Sequence, residues 1–310
     1  MENFTSVKIF ILVGFSNAPH WQILFFVILL CIYIATVLGN LIIIVLIYVD
    51  SSLCTPMYFF LRNLSFLEIC YTSVTIPKML ANILALEKTI SFHACAIQMY
   101  FFLFFGATEC CLLACMAYDR YTAICNPLCY PVIMRKKVCI QLAAVSWVCG
   151  GLVALGHTTF IFTLPFCDSN VINHFFCEIQ PMLKLVCGDT YWNEIQVIAA
   201  AAFLILIPFM LILLSYFHII TTILRMKSAK NRQKAFSTCS SHLIVVSLFY
   251  STAIFMYIRP KSSYSLNVDK FLSLFYSIVT PILNPIIYSL RNKDVKGALK
   301  KVVLKLVASK

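Results

Sequence analysis

The stretch from Trp21 to Val49 reads WQILFFVILLCIYIATVLGNLIIIVLIYV and contains no Asp, Glu, Lys or Arg. A helix crossing the hydrocarbon of a bilayer needs roughly 20 mainly apolar residues, and this run exceeds that length. Val138–Cys167, Ile195–Leu224, Ala235–Ile258 and Phe271–Leu290 are equally free of charge. Two further apolar stretches carry charge. Met57–Leu86 holds Arg62, Glu68 and Lys78, and Thr89–Tyr118 holds Glu109. Seven spans result. Their long apolar runs do not alternate with a period of two, which argues against an outer-membrane barrel.

Composition agrees. Of 310 residues, 61% are hydrophobic and 12% are charged, against about 25% charged in a typical soluble domain. The mean hydropathy is +0.91. A water-soluble globule cannot hide that much apolar surface, which excludes a soluble enzyme, a disordered chain and a small disulfide-stapled domain. The predicted fold is an all-α, seven-transmembrane helix bundle forming one domain over residues 1–310. Its spans lie near 22–49, 57–86, 89–124, 138–163, 194–226, 234–259 and 268–290. A short amphipathic helix follows near 292–304, where Val295, Leu299, Val302, Val303 and Leu306 alternate with lysines and suit a membrane surface.

The net charge of +12 is unevenly placed. In a soluble protein it would raise nucleic acid as a partner, but here the basic residues cluster in short loops and report topology. With the N-terminus outside, Arg120, Arg135, Lys136, Lys137, the basic run Arg225–Lys234 and the lysine-rich tail after Arg291 all fall on the cytoplasmic side. The acidic residues there are Asp50, Asp119 and Asp294. The sequon Asn3-Phe4-Thr5, a glycosylation acceptor, points the same way. The first apolar run is too long for a signal peptide, begins after twenty residues, and lacks a small-residue cleavage site.

Among 15 cysteines, most lie inside apolar spans as small core residues. Cys95, Cys167, Cys177 and Cys187 fall at the outer face, where disulfides persist. Four cysteines allow three pairings. A bridge from the third span to the long loop of residues 165–194 would pin that loop over the mouth of the bundle. Metal binding with His93, His157 or His174 is the competing reading, although no C-x2-C or H-x3-H spacing supports it.

No HExxH, GxxxxGK[ST] or GxSxG signature occurs, and no nucleophile–base pair for a hydrolase is evident. Glu68 and Glu109, each within a span, are functional candidates because burying charge in hydrocarbon is costly. They could share a cation or a proton, or serve as neutral hydrogen-bonding acids. Asp119-Arg120 at the inner end of the third span can form a latch. Pro281 and Pro285, flanking Asn284 four residues apart, make the inner end of the seventh span deformable.

These residues and several longer strings resemble a known family. Asn40 after Gly39, Trp147, Asp119-Arg120-Tyr121, Pro208 and the Asn284-Pro285…Tyr288 motif resemble rhodopsin-like G-protein-coupled receptors. PMYFFLRNLSFLE (Pro56–Glu68), MAYDRYTAICNPL (Met116–Leu128), Ser215-Tyr216, KAFSTCSSHL (Lys234–Leu243) and PILNPIIYSLRNKDVK (Pro281–Lys296) narrow this to vertebrate olfactory receptors. The resemblance covers essentially the whole chain.

The resemblance implies Cys95–Cys177 and Cys167–Cys187 bridges. It implies a sodium-like site around Glu68, Glu109, Asn40 and Asn284, with Ser277 nearby and otherwise no cofactor. Many members carry Asp where Glu68 stands. Asp119, Arg120, Tyr121, Tyr216, Asn284, Pro285 and Tyr288 match residues that rearrange on engaging a G protein, implied to be of the stimulatory olfactory type. A plasma-membrane receptor of sensory cilia, bathed in lipid, is implied, and no nucleic-acid partner.

The ligand is implied to sit among the outer halves of the third, fifth, sixth and seventh spans. Phe102, Gly106 and Glu109 share one helix face, with Leu103 and Ala107 beside them. Ala200, Ala201 and Leu204 offer small and apolar surface. Tyr250, Ala253, Ile254, Tyr257 and Ser277 complete the expected wall, and Ser251 replaces the glycine usual after Phe249-Tyr250. Phe102 stands where aminergic receptors place an aspartate, so a charged amine is not expected. A small volatile molecule with one oxygen function fits, at micromolar to millimolar affinity for roughly 10–15 heavy atoms. A receptor for a metabolite in another tissue, and a seven-helix ion transporter using Glu68 and Glu109, are the competing functions.

Overall fold

The computed structural model describes residues 7–14, 19–166, 169–188, 190–258, 266–291 and 293–308. It is a helical bundle. Its long helices are α1 (Pro19–Val49), α2 (Pro56–Leu84), α3 (Phe92–Cys125), α5 (Lys136–Phe162), α7 (Tyr191–Arg225) and α8 (Ala229–Tyr257). The seventh crossing is composite: α9 (Leu266–Leu274), a π-helical turn over Phe275–Val279, then α10 (Thr280–Arg291). Short α4 (Tyr130–Ile133) and α6 (Ile179–Leu183) lie in connections, and α11 (Lys293–Ala308) ends the described chain. Six helical stretches among the described residues are long and apolar enough to cross a membrane. The further long helix is α2, which carries Arg62, Glu68 and Lys78.

Local chemistry sets the helix ends. Pro56 opens α2, where its missing N–H is unneeded. Ser91 caps α3 by accepting from the Ala94 amide at 3.3 Å, and Ser228 caps α8 through the Asn231 amide at 3.4 Å. Within the helices, hydroxyls return to the preceding turn. Thr36, Thr108 and Ser146 donate to the carbonyls of Ile32, Phe104 and Leu142 at 2.7–2.8 Å. Such bonds satisfy a hydroxyl where hydrocarbon offers it no partner.

A small sheet, absent from the sequence reading, closes one end of the bundle. β1 (Ile9–Leu12) lies between β2 (Thr89–Ser91) and β3 (Val171–Ile172), antiparallel to the first and parallel to the second. The third span, expected from residue 89, therefore starts at Phe92, because residues 89–91 are spent on pairing with Ile9, Phe10 and Ile11. Phe10 and Leu12 are buried with Ile90, Cys95, Met99 and Phe166 in a second apolar cluster under the sheet.

The central helix is α3, packed against α2, α5, α7 and α8. Lipid is as apolar as leucine, so close packing rather than water exclusion holds membrane helices together. Gly150 supplies that closeness. A Cβ there would collide with the Thr108 hydroxyl and come within 2.9 Å of the Phe104 carbonyl. At Gly151 the nearest atom to such a Cβ would be 3.5 Å away, an ordinary contact. Gly150→Val is therefore expected to destabilise the detergent-purified protein by about 1–3 kcal/mol. Gly151→Ala, which relieves a helix-interior glycine, should be neutral or stabilising by up to about 1 kcal/mol. Thermal unfolding of both variants checks the pair, and equal losses would refute the close-packing account.

Candidate functional site

A cavity with about 780 Å³ of empty space lies near the sheet-bearing end, between α3, α5, α7, α8 and the π-helical turn. From α3 it takes Phe102, Leu103, Gly106 and Ala107; from α7, Ala201 and Leu204; from α8, Ala253 and Tyr257. The walls are predominantly aliphatic and aromatic. Gly106 leaves room, since a Cβ there would meet no atom nearer than Tyr71 Cε2 at 4.0 Å.

Four residues expected in the wall lie elsewhere. Ala200 is replaced by its neighbour Ala201, since one residue turns a helix by about 100°. Tyr250 is fully buried beside the cavity, stacked on Phe209 at 5.1 Å, with its hydroxyl donating to the Cys110 carbonyl at 3.0 Å. Ile254 packs into the bundle core. Ser277 spends its proton on the Ser273 carbonyl at 2.6 Å. The walls also hold residues the sequence reading missed, among them Tyr71, His157, Thr252 and Tyr276. Tyr71 lies three residues after Glu68 and so on the same helix face, which was a usable signal. For Tyr276 the π-helical turn alters the helical phase, and no spacing argument reaches it.

Behind Tyr257 and Tyr276 stands Glu178, 1% exposed, in the loop between α5 and α7. Its Oε1 accepts from both tyrosine hydroxyls at 3.0 Å. Its Oε2 accepts from Ser273 Oγ at 3.1 Å and lies 3.4 Å from His174 Nε2. One carboxyl thus ties the loop to α8 and to the seventh crossing. The adjacent Cys177 is bridged to Cys95 at the start of α3, with Cα atoms 5.5 Å apart. The Cys177 amide donates to Gln98 Oε1 at 3.0 Å. Cys187 is also disulfide-bonded. Cys167, Asn3 and the Tyr288 side chain lie outside the described residues. No cluster of three or more metal-ligating side chains occurs among the described residues.

Deeper in the bundle, Glu68 and Glu109 are 0% and 2% exposed. Asn284 Nδ2 donates to Glu68 Oε1. Asn40 Nδ2 donates to the Thr36 carbonyl at 3.0 Å and reaches the Pro281 carbonyl at 3.4 Å. Glu68 Oε2, Glu109 Oε1 and Asn40 Oδ1 are buried without a hydrogen-bond partner. Each is a hard oxygen of the kind a hard cation accepts. Pro285 is buried against α1, where a Cβ on Gly39 would stand 3.3 Å from its ring.

At the opposite end Arg120 pairs with Asp119 through Nε at 3.0 Å and through Nη2. Asp119 Oδ1 also accepts from the Tyr130 hydroxyl at 2.8 Å. Burial, then the Asp119 charge beside it, pushes the Tyr130 phenol well above its ordinary range, so it remains a donor. Tyr216 and His242 Nδ1 are hydrogen-bonded at 2.8 Å between α7 and α8. Tyr121 sits half-buried between the rings of Tyr118 and His218. Nearby, Asp50 accepts from Ser52 through side chain and backbone, which lowers its pKa, with Lys301 of α11 3.5 Å away. His242 lies inside the quoted KAFSTCSSHL string, but its pairing with Tyr216 is set by tertiary packing.

Gly106→Leu is expected to fill the cavity from α3. Ligand potency should fall more than about tenfold while surface expression holds, since the nearest atom to the new Cβ, Tyr71 Cε2, lies 4.0 Å away and the helix packing is left alone. Unchanged potency in a dose–response measurement would place the ligand elsewhere.

A family model described as "Olfactory receptor" matches residues 29–306. The chain is 61% identical over 305 residues to human olfactory receptor 10C1, covering 98% of each chain. It is 54% identical over 309 residues to human olfactory receptor 10A7, covering 100% of this chain and 98% of the relative. It is 53% identical over 301 residues to mouse olfactory receptor 8U3, covering 97% and 94%.

Proposed function

This chain belongs to the olfactory receptor family, so it is a multi-pass, odorant-sensing G-protein-coupled receptor rather than an enzyme, and we propose that its ligand is a small, volatile, mostly hydrophobic molecule. The observation that carries this is the apolar cavity between α3, α7 and α8, with polar contacts confined to a few hydroxyls and one imidazole. The loop holding Cys177 and Glu178 covers it. Glu178 stands behind the tyrosines rather than among the walls, and Phe102 offers no charge, so no carboxylate in the wall is placed to pair with an ammonium group.

The receptor works at the plasma membrane of sensory cilia, N-terminus outside, with α11 lying on inner-leaflet lipid. Its partner is a stimulatory olfactory-type G protein, and its output is cAMP. The odorant acts by population shift. It must bind the active bundle better than the resting one, because equal affinity for both moves nothing. The Asp119–Arg120 pair and the Tyr216–His242 bond belong to the resting arrangement, and freeing them opens the basic end to the G protein.

Glu68, Glu109 and Asn40 hold a sodium ion in the resting state. The support is that each presents a buried oxygen with no hydrogen-bond partner.

Two measurements test this. Cells displaying the chain should raise cAMP in a dose-dependent way for a neutral volatile, and Arg120→Ala should abolish the rise at equal surface level. A response to charged amines alone would overturn the ligand reading. Replacing sodium by choline at constant ionic strength should raise odorant potency severalfold, and Glu68→Gln should remove that dependence. A sodium effect that persists in Glu68→Gln refutes the cation site.

A further inference from the structure

Taking as its premise that an odorant fills this cavity, we infer that the receptor selects ligands carrying a hydrogen-bond donor: an alcohol or phenol in preference to the ketone, ester or ether of the same carbon skeleton. The reason is where the wall's protons already point. Four hydroxyl-bearing side chains line the cavity: Tyr71, Thr252, Tyr257 and Tyr276. Three have placed their single proton inside the protein. Tyr257 and Tyr276 both donate to Glu178 Oε1 at 3.0 Å. Thr252 donates to the Leu248 and Phe249 carbonyls, each at 2.8 Å. A hydroxyl has one proton and two lone pairs, so these three oxygens can offer a ligand only lone pairs.

A neutral ligand carbonyl cannot recover the tyrosine protons. Glu178 receives donors on both oxygens, from Tyr257, Tyr276 and Ser273, with His174 alongside. Drawing either tyrosine proton toward a ligand carbonyl would weaken a hydrogen bond to a buried carboxyl oxygen, which is costly away from water. A ketone or ester at this corner therefore faces lone pairs with lone pairs.

An alcohol meets no such conflict. It gives its proton to the Tyr257 or Tyr276 oxygen and accepts on its own oxygen from Tyr71. Tyr71 is stacked on Phe102 at 5.2 Å and its hydroxyl donates to none of the described residues. His157, on the α5 wall, can donate or accept and so does not discriminate. The alcohol makes one hydrogen bond that its carbonyl analogue cannot. At such a site this is worth roughly a tenfold difference in potency. Glu178, which touches no ligand, is the positioning residue that fixes this polarity.

The test uses cells displaying the full chain at measured surface levels. The probes are straight-chain, branched and terpenoid skeletons of about 8–12 carbons, in keeping with a ligand of roughly 10–15 heavy atoms. Each skeleton is supplied as alcohol, ketone, methyl ether and primary amine. The alcohol is expected to show the lowest EC50, about tenfold below its ketone and ether. Tyr257→Phe should raise the alcohol's EC50 while leaving the ketone's within about twofold, and a merely structural loss would move both together. Glu178→Leu, which removes the acceptor of both tyrosine protons, should narrow the gap by improving the ketone at equal surface display. A ketone or ether that equals its alcohol on the unmodified receptor overturns the inference while the odorant reading stands. So does an amine that outranks the alcohol, since Glu178 would then be reached directly. Silence for every skeleton, with surface display confirmed, overturns the odorant reading and this inference with it.

Discussion

A polar group inside hydrocarbon has no water to fall back on, and the bundle is organised around that constraint. Backbone amides close their bonds within helices. Serine and threonine hydroxyls turn back on the preceding turn, as at Thr36, Thr108 and Ser146. The two prolines inside α2 and α7, Pro77 and Pro208, each remove one such bond. Where a polar group cannot be satisfied by its own helix it must reach another, and those reaches define the functional parts. Glu178 reaches α8 and the seventh crossing, Asn284 reaches Glu68, and Tyr216 reaches His242.

The same constraint explains the cavity's character. Its apolar walls cost little to leave facing a small molecule, because no dipole is stranded when it is empty. Its hydroxyls are kept from being stranded by bonds to the protein, and that prior commitment decides which chemistry they present to a ligand. The disulfide between Cys95 and Cys177 and the sheet around Ile9–Leu12 hold the covering loop in place. The Glu178 carboxyl therefore arrives at a fixed position behind the wall, and specificity is exerted from a loop through the hydroxyls of two helices.

How much of this was legible in the sequence follows from the range of each interaction. The spans were legible because burial in lipid leaves an uninterrupted apolar run. Phe102 and Gly106 were placed in the wall by the one-turn spacing they share on α3, and Leu204 by the small, apolar surface of α7. Ala200 and Ile254 were not, because choosing between adjacent residues needs the rotation of a helix about its axis, which neighbours set. Tyr250 and Ser277 have wall-compatible chemistry, but their hydroxyls find carbonyls at Cys110 and Ser273. The sheet was invisible because strands of two to four residues leave too short a pattern to detect. Glu178 was overlooked because a carboxylate in a polar loop looks solvated until the fold buries it.

The single helix α3 carries three of these parts in order. Phe102 and Gly106 face the cavity, Glu109 faces Glu68, and Asp119 and Arg120 close the far end. From Phe102 to Arg120 an α-helix spans roughly 27 Å at 1.5 Å per residue. Gly150 lets α5 lie tightly on α3 near Thr108, so α3 is braced on one side. On the other it meets α7 and α8, which share the Tyr216–His242 bond at the signalling end and line the cavity at the other. A ligand wedged between α3 and the α7–α8 pair bears on both sides of that joint. Its leverage equals the difference in its affinity for the two arrangements and no more. For a molecule of about a dozen heavy atoms that difference is a fraction of a modest total. If the contacts at Arg120 and Tyr216 hold the resting state as proposed, they must be weak enough for so small a ligand to release. Asp119 and Arg120 are neighbours in sequence, so Arg120 can leave the pair by a side-chain rotation while Asp119 keeps its bond from Tyr130 of α4.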